Sequence, residues 1–180
     1  MTVLDELLEA NRRAFHPDGD PGTFVANRHL CILTCVDPRL TRFFPEALGV
    51  DRGNAVAVRL PGASVLPGSD GLRALAASIY VNDCQEVLVL AHTDCGVARV
   101  KPDELRRIMR ARGVPDADIP EDAQAFFGLV PDTRKAVMET ARTIRAAPFL
   151  PRNLPVHVGE IDIRTGVVSL LESGYEHVYR

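Results

Sequence analysis

Three stretches of the chain are apolar at nearly every position and then stop on polar or charged residues. They are Leu30–Cys35 (LCILTC), Ala55–Leu60 (AVAVRL) and Glu86–Ala91 (EVLVLA). A continuous Val/Ile/Leu/Ala run of this length predicts a strand buried on both faces. Between the runs the apolar spacing is helical. Residues 3–15 carry Leu4, Leu7, Leu8 and Ala14 on roughly one face. Arg42–Leu48 reads as a short helix stopped by Gly49, and Gly71–Val81 as a helix with Ser69 and Asp70 as candidate caps. Pro102–Arg112 is helical, and 116–128 is loop with some helix. Asp132 caps a helix through about Ala147, which Pro148 ends. Two late strands, Pro155–Ile163 and Val167–Leu171, flank the turn residues Arg164-Thr165-Gly166.

Helices alternating with buried strands predict an α/β fold. The expected architecture is a mostly parallel central sheet flanked by helices, with about four parallel strands and a late antiparallel edge strand. In such sheets ligands bind beyond the carboxyl ends of the strands. The three early runs end on Cys35, Leu60 and Ala91-His92, so the chemistry is expected at that edge.

Composition narrows the class. A chain of 180 residues with 46% hydrophobic and 25% charged residues suits one soluble domain spanning 1–180. The net charge of −3 and the absence of Trp argue against nucleic acid and anionic membranes as partners. No apolar run reaches bilayer length, and MTVLDELLEANRRAF lacks the apolar core of a signal peptide, so a cytoplasmic location is expected. Four Cys do not make a disulfide scaffold in a chain of this length; in a reducing compartment such thiols bind metal, react or pack.

The polar strand ends then carry the argument. In AHTDCG, His92 and Cys95 are three apart on a turn leaving a buried strand, and Cys35 closes another strand in CVDPR. Two thiolates and an imidazole suit zinc, and no fourth Cys or His stands at a ligand spacing. Three protein ligands and one open position form the catalytic pattern rather than the structural one. Alone, each of these residues is better read as packing; together they favour a metal. Asp37 and Arg39 share a face if the chain stays extended, and Pro38 biases Asp37 that way. In this reading zinc lowers the pKa of its water, Asp37 orients the resulting hydroxide, and Arg39 keeps Asp37 ionised. Asp37 is also near enough to swing onto the metal. A phosphate loop on Cys95, Gly96 and Arg99 is disfavoured by its short spacing. A zinc alcohol-oxidising enzyme is disfavoured because no GxGxxG follows a strand.

Cys35-x-Asp37-x-Arg39 followed by His92-x-x-Cys95-Gly96 resembles the signature of the β-class carbonic anhydrases, in particular the short members. The resemblance runs from about Leu30 to Leu171 and includes AVAVRLPGAS, GLRALAASIYVNDCQEVLVLAHTDCG and VHVGEIDIRTGVV. It implies a lyase with one zinc per subunit that hydrates carbon dioxide reversibly to bicarbonate and a proton. It also implies a homodimer or a multiple of dimers, with the N-terminal helix packing on the partner. The family's Arg-Asn-Ala-Gly loop is here Arg59-Leu60-Pro61-Gly62, which touches substrate access or choice. The metal ligands are then Cys35, His92 and Cys95, with catalytic roles for Asp37 and Arg39. The substrate pocket is expected to involve Val36, Gly62, Gly96, Val97 and the Leu60–Val65 loop. Hydrolysis of carbon disulfide or carbonyl sulfide on the same ligands is the alternative activity, and a non-catalytic zinc-binding regulatory module the alternative class.

The remaining candidates read as structural. Cys31 and Cys84 suit packing. His16, His29, His157 and His177 have no positional claim as proton shuttles. Arg106, Arg107, Arg110 and Arg112 suit a solvated helix face.

Overall fold

The computed structural model describes residues 3–4, 6–8, 28–50 and 54–178. Five strands form one sheet: β1 (Leu30–Cys35), β2 (Val56–Leu60), β3 (Glu86–His92), β4 (Val156–Ile161) and β5 (Val168–Glu172). Their order is β2-β1-β3-β4-β5. The first four are mutually parallel, and β5 pairs antiparallel with β4. This is the expected architecture, with each strand boundary within about two residues of the apolar pattern that predicts it. Of the N-terminal helix expected at residues 3–15, residues 3, 4 and 6–8 are helical, and the rest lies outside the described residues. Among the described residues no helix is long and apolar enough to cross a membrane.

The sheet separates two apolar clusters. One face packs Cys31, Leu33, Val87, Val89, Val156 and Val158 against the helices Asp70–Tyr80 and Thr133–Ala146. The first helix buries Leu72, Leu75 and Ile79; the second buries Val137, Ala141 and Ile144, one stripe per helix. Asp132 caps the second helix by accepting from the Lys135 amide at 3.0 Å. Ser69 stands at the N-cap of the first but makes no capping hydrogen bond. The other cluster gathers Ile32, Leu40, Leu90 and Ile161 with Cys35 and Cys95, and Phe43 and Phe44 of the helix Phe43–Leu48 pack against it. Full burial of each Val, Leu or Ile contributes about 2 kcal/mol, so both faces hold the strands in register.

Local details differ from the expectation at two further places. Pro38–Arg42 is a 3₁₀ turn, so the chain does not stay extended after Asp37. Pro38 occupies the first position of that turn and fixes its φ, while Asp37 keeps the extended geometry (φ −56°, ψ 119°) that a following proline favours. Second, the helix Pro102–Ala111 is not simply solvated along its arginines. Arg106 donates to the Glu121 carbonyl and Arg110 to Asp116, which ties the following loop to the helix. As expected, residues 116–128 are loop with some helix: they contain the 3₁₀ turn Asp116–Asp118 and the helix Ala123–Phe127, the latter capped by Asp122 and ended by left-handed Gly128.

Candidate metal centre

Cys35 ends β1 and His92 ends β3, and these strands are parallel neighbours in the register Thr34↔Leu90. The Thr34 hydroxyl donates to the Leu90 carbonyl at 2.8 Å, pinning the two strand ends together. Past His92 the chain turns sharply. The Thr93 amide donates to the Ile161 carbonyl at 3.0 Å, and the Thr93 hydroxyl accepts from the Ile163 amide at 3.0 Å. Asp94 then adopts a left-handed backbone (φ 55°), which Asp tolerates better than most residues. This turn returns Cys95 to the N-cap of the short helix Gly96–Arg99, beside Cys35.

The result is a buried three-residue cluster. One ligand atom from each of Cys35, His92 and Cys95 lies within 4.8 Å of the others. The two sulfurs are 3.9 Å apart, and both thiols are free. Two sulfurs bound tetrahedrally to zinc at about 2.3 Å would stand about 3.8 Å apart, so the spacing fits. His92 Nδ1 donates to the Thr93 carbonyl at 2.9 Å, which leaves the lone pair on Nε2. Nε2 is buried and has no hydrogen-bond partner. A buried acceptor left unpaired beside two thiols is the arrangement that a thiophilic cation satisfies.

The titration behaviour of the cluster follows from this crowding. The Cys95 thiol donates toward Cys35; against the opposing effect of burial, the His92 ring and the Asp37 and Gly62 amides add to it and hold the Cys35 thiol down to about 4. Cys95 is pushed up, first by that hydrogen bond to Cys35 and then by burial. Burial disfavours a charged His92, but the adjacent Cys35 sulfur and the Thr93 carbonyl outweigh it and raise its pKa. A divalent cation would replace the shared proton and favour both thiolates.

Asp37 and Arg39 meet, as expected, but through the 3₁₀ turn rather than along an extended strand. Arg39 Nε donates to Asp37 Oδ1 at 3.0 Å and Nη2 to Oδ2 at 2.8 Å, while the Arg39 amide also donates to Oδ1 at 3.0 Å. The side-chain hydrogen bonds from Arg39 are the main reason the Asp37 carboxyl is held down to about 2. Asp37 Oδ2 lies 3.9 Å from His92 Nε2, so the carboxylate borders the cluster.

A cavity of about 340 Å³ opens beside the cluster. Cys35, Val36, Asp37, Gly96 and Val97 line it, together with Pro38, Pro61, Val100, Leu105, Phe127 and Leu129. Of the residues expected at a substrate pocket, Val36, Gly96 and Val97 line this cavity, as does Pro61 of the Leu60–Val65 loop. Gly62 does not line this cavity; its amide faces the Cys35 sulfur. Among the described residues, Asp37 is the only charged one in the lining, and no histidine lines the cavity. His29, His157 and His177 pair with Asp83, Glu86 and Glu172 elsewhere; His16 lies outside the described residues. Cys31 and Cys84 are buried in the core.

Two charged residues at the site were missed by sequence reasoning. Arg59 donates through Nε to the Cys35 carbonyl at 3.1 Å, and through its guanidinium to the Asp37 carbonyl and the Thr41 hydroxyl. It thereby clasps the backbone on both sides of Val36. Its signal was present: a guanidinium near the end of an apolar strand, AVAVRL, is as anomalous as CVDPR. Asp94 accepts from Arg39, and its position between two candidate ligands was the clue. Phe127 and Leu129 left no local signal, because only packing brings their loop over the strand ends.

Comparison with known proteins adds an independent line. No family model matches the chain. The crystal structure of β-carbonic anhydrase isoform I from Trichomonas vaginalis superposes with a TM-score of 0.89 at 30% identity, covering 97% of this chain and all of that one (100%). β-Carbonic anhydrase 1 of Mycobacterium tuberculosis is 29% identical over 167 residues, 92% of this chain and 96% of its own length. A carbon disulfide hydrolase of Acidithiobacillus thiooxidans is 26% identical over 183 residues, 87% of this chain and 80% of its own.

Proposed function

Since the chain belongs to the β-carbonic anhydrase family, we propose that it catalyses the zinc-dependent, reversible hydration of carbon dioxide to bicarbonate and a proton. Cys35, His92 and Cys95 hold the metal, and Asp37 and Arg39 act on the reacting water. Zinc supplies a Lewis-acid charge that lowers the pKa of water toward about 7 and makes it nucleophilic near neutral pH.

The chain's own groups do the rest. Asp37, ionised down to about 2, can only accept hydrogen bonds, so it turns a water proton toward itself and the oxygen lone pair toward the cavity. Arg39 holds both carboxylate oxygens and fixes that direction. Val97, Leu105, Phe127 and Leu129 offer an apolar wall to a linear, nonpolar substrate and exclude competing water. Among the described residues no histidine lines the cavity, and the released proton passes to solvent buffer at its mouth. The His92 Nε2 atom, buried and unpaired between two thiols, is the observation that carries this reading.

Hydrolysis of carbon disulfide or carbonyl sulfide is the second reading. It is favoured by a cavity that is apolar apart from Asp37 and the Cys35 sulfur, and by Leu60-Pro61 in the loop that borders it. Stopped-flow assays of the zinc-loaded protein on carbon dioxide and on carbon disulfide, with metal content measured, separate the two. Asp37→Ala is expected to retain zinc and lose about a hundredfold in turnover. A zinc-loaded protein inactive on every substrate would reject both readings in favour of a regulatory module. A homodimer in the cytoplasm is the assembly this reading carries with it, checked by sedimentation and by fractionation.

A further inference from the structure

We propose that Asp94 is a positioning residue that anchors the Arg39 guanidinium and so keeps the Asp37 carboxylate on Arg39 and off the metal ligands. The proposal rests on the reading of the site as a zinc centre. Arg39 is held from two sides. Toward β1, its Nε and Nη2 donate to Asp37. Toward the turn after β3, Nη1 donates to Asp94 Oδ2 at 3.0 Å and Nη2 to the Asp94 carbonyl at 2.9 Å. Asp94 is itself steadied by Arg99, which donates to its other carboxylate oxygen.

The double attachment matters because of where Asp37 sits. With Oδ2 only 3.9 Å from His92 Nε2, a modest side-chain rotation would carry the carboxylate onto the ligand cluster. A bound cation would attract it there, and Arg39 is the competing cation. An arginine paired with Asp37 alone could follow the carboxylate as it rotates. One fixed from behind by a residue on another strand end cannot. The Arg39 and Asp94 side chains are 44% and 40% exposed, so this ion pair adds little to stability. Its consequence is geometric.

Two substitutions isolate the Asp94 side chain from its backbone. Asn and Gly both accept the left-handed conformation of residue 94, and Asn keeps an acceptor for Arg39. Cobalt(II) in place of zinc reports the metal's ligands by its absorption spectrum. Asp94→Asn is expected to stay within about threefold of the parent in turnover, and Asp94→Gly to lose about tenfold in kcat with KM little changed. Asp94→Gly should hold one metal per chain and show a shifted cobalt spectrum. Adding Asp37→Asn to Asp94→Gly should abolish that shift. An Asp94→Gly protein with parental kcat and spectrum overturns the proposal. So does loss of metal from it, since Asp94 would then be building the ligand turn instead. A cobalt shift in a protein whose parent hydrates no substrate would support the role of Asp94 and count against the hydration reading.

Discussion

The sulfur atoms of Cys35 and Cys95 lie 3.9 Å apart although 60 residues separate them in the chain. Only the parallel pairing of β1 with β3, and the turn at Asp94, bring them together. Cys35 borders the cavity, whereas Cys31 is enclosed. The thiols differ in chemistry as well: Cys35 is held down to about 4, and burial pushes Cys31 up to about 12. In metal-free protein, iodoacetamide at mildly alkaline pH should modify Cys35 first and leave Cys31 untouched. Reloading with zinc should protect Cys35. Peptide mass spectrometry reads the sites, and early labelling of Cys31 would contradict this account.

Gly62 is a position where the backbone demands glycine twice over. Its φ is 60°, and a β-carbon there would stand 2.5 Å from Val130 Cγ2. Gly62→Ala should cost about 2 kcal/mol or more through strain and overpacking, and should weaken metal retention because the amide facing Cys35 shifts. Adding Val130→Ala should recover the clash but not the backbone strain. Thermal melts of the single and double variants, with zinc analysis, check both parts.

Thr140 braces the same loop from the helix Thr133–Ala146. Its buried hydroxyl accepts from the Val65 amide at 3.0 Å and donates to the Ala63 carbonyl at 3.1 Å. Ala63, also left-handed, follows Gly62 directly. Thr140→Val keeps the shape but strands both backbone groups, so a loss of about 3 kcal/mol is expected. Thr140→Ser should retain most of the stability. Equal losses in the two variants would show that the methyl group, not the hydroxyl, matters.

The turn between β4 and β5 gives a pH prediction away from the cavity. The Asp162 carboxylate accepts from the Thr165 and Arg164 amides, at 2.9 and 2.8 Å, and these bonds lower its pKa below the usual 3.8. A carboxyl lowered on folding adds stability that is complete above its unfolded pKa and lost as pH falls through the folded one. Asp162→Ala should therefore melt a few degrees lower at neutral pH. The difference from the parent should shrink below about pH 4. A difference that persists unchanged in acid would argue against the carboxylate as its source.

Much of this protein is legible in the residues themselves. Burial on both faces demands unbroken apolar strands, and LCILTC, AVAVRL and EVLVLA announce them with their ends nearly correct. Thiols and an imidazole at those ends announce a metal, and CVDPR announces an ion pair, because polar residues rarely close a buried strand without a task. The turn geometry after Asp37 was misjudged, since Pro38 restricts the residue before it and also starts a 3₁₀ turn. What tertiary structure alone decided is which distant groups meet: Arg59 on the Cys35 and Asp37 carbonyls, Asp94 behind Arg39, and Phe127 and Leu129 across the cavity. Strand and helix periods are set locally by which face is buried. Partners of this second kind are set by how whole elements pack, and no short stretch of sequence encodes that distance.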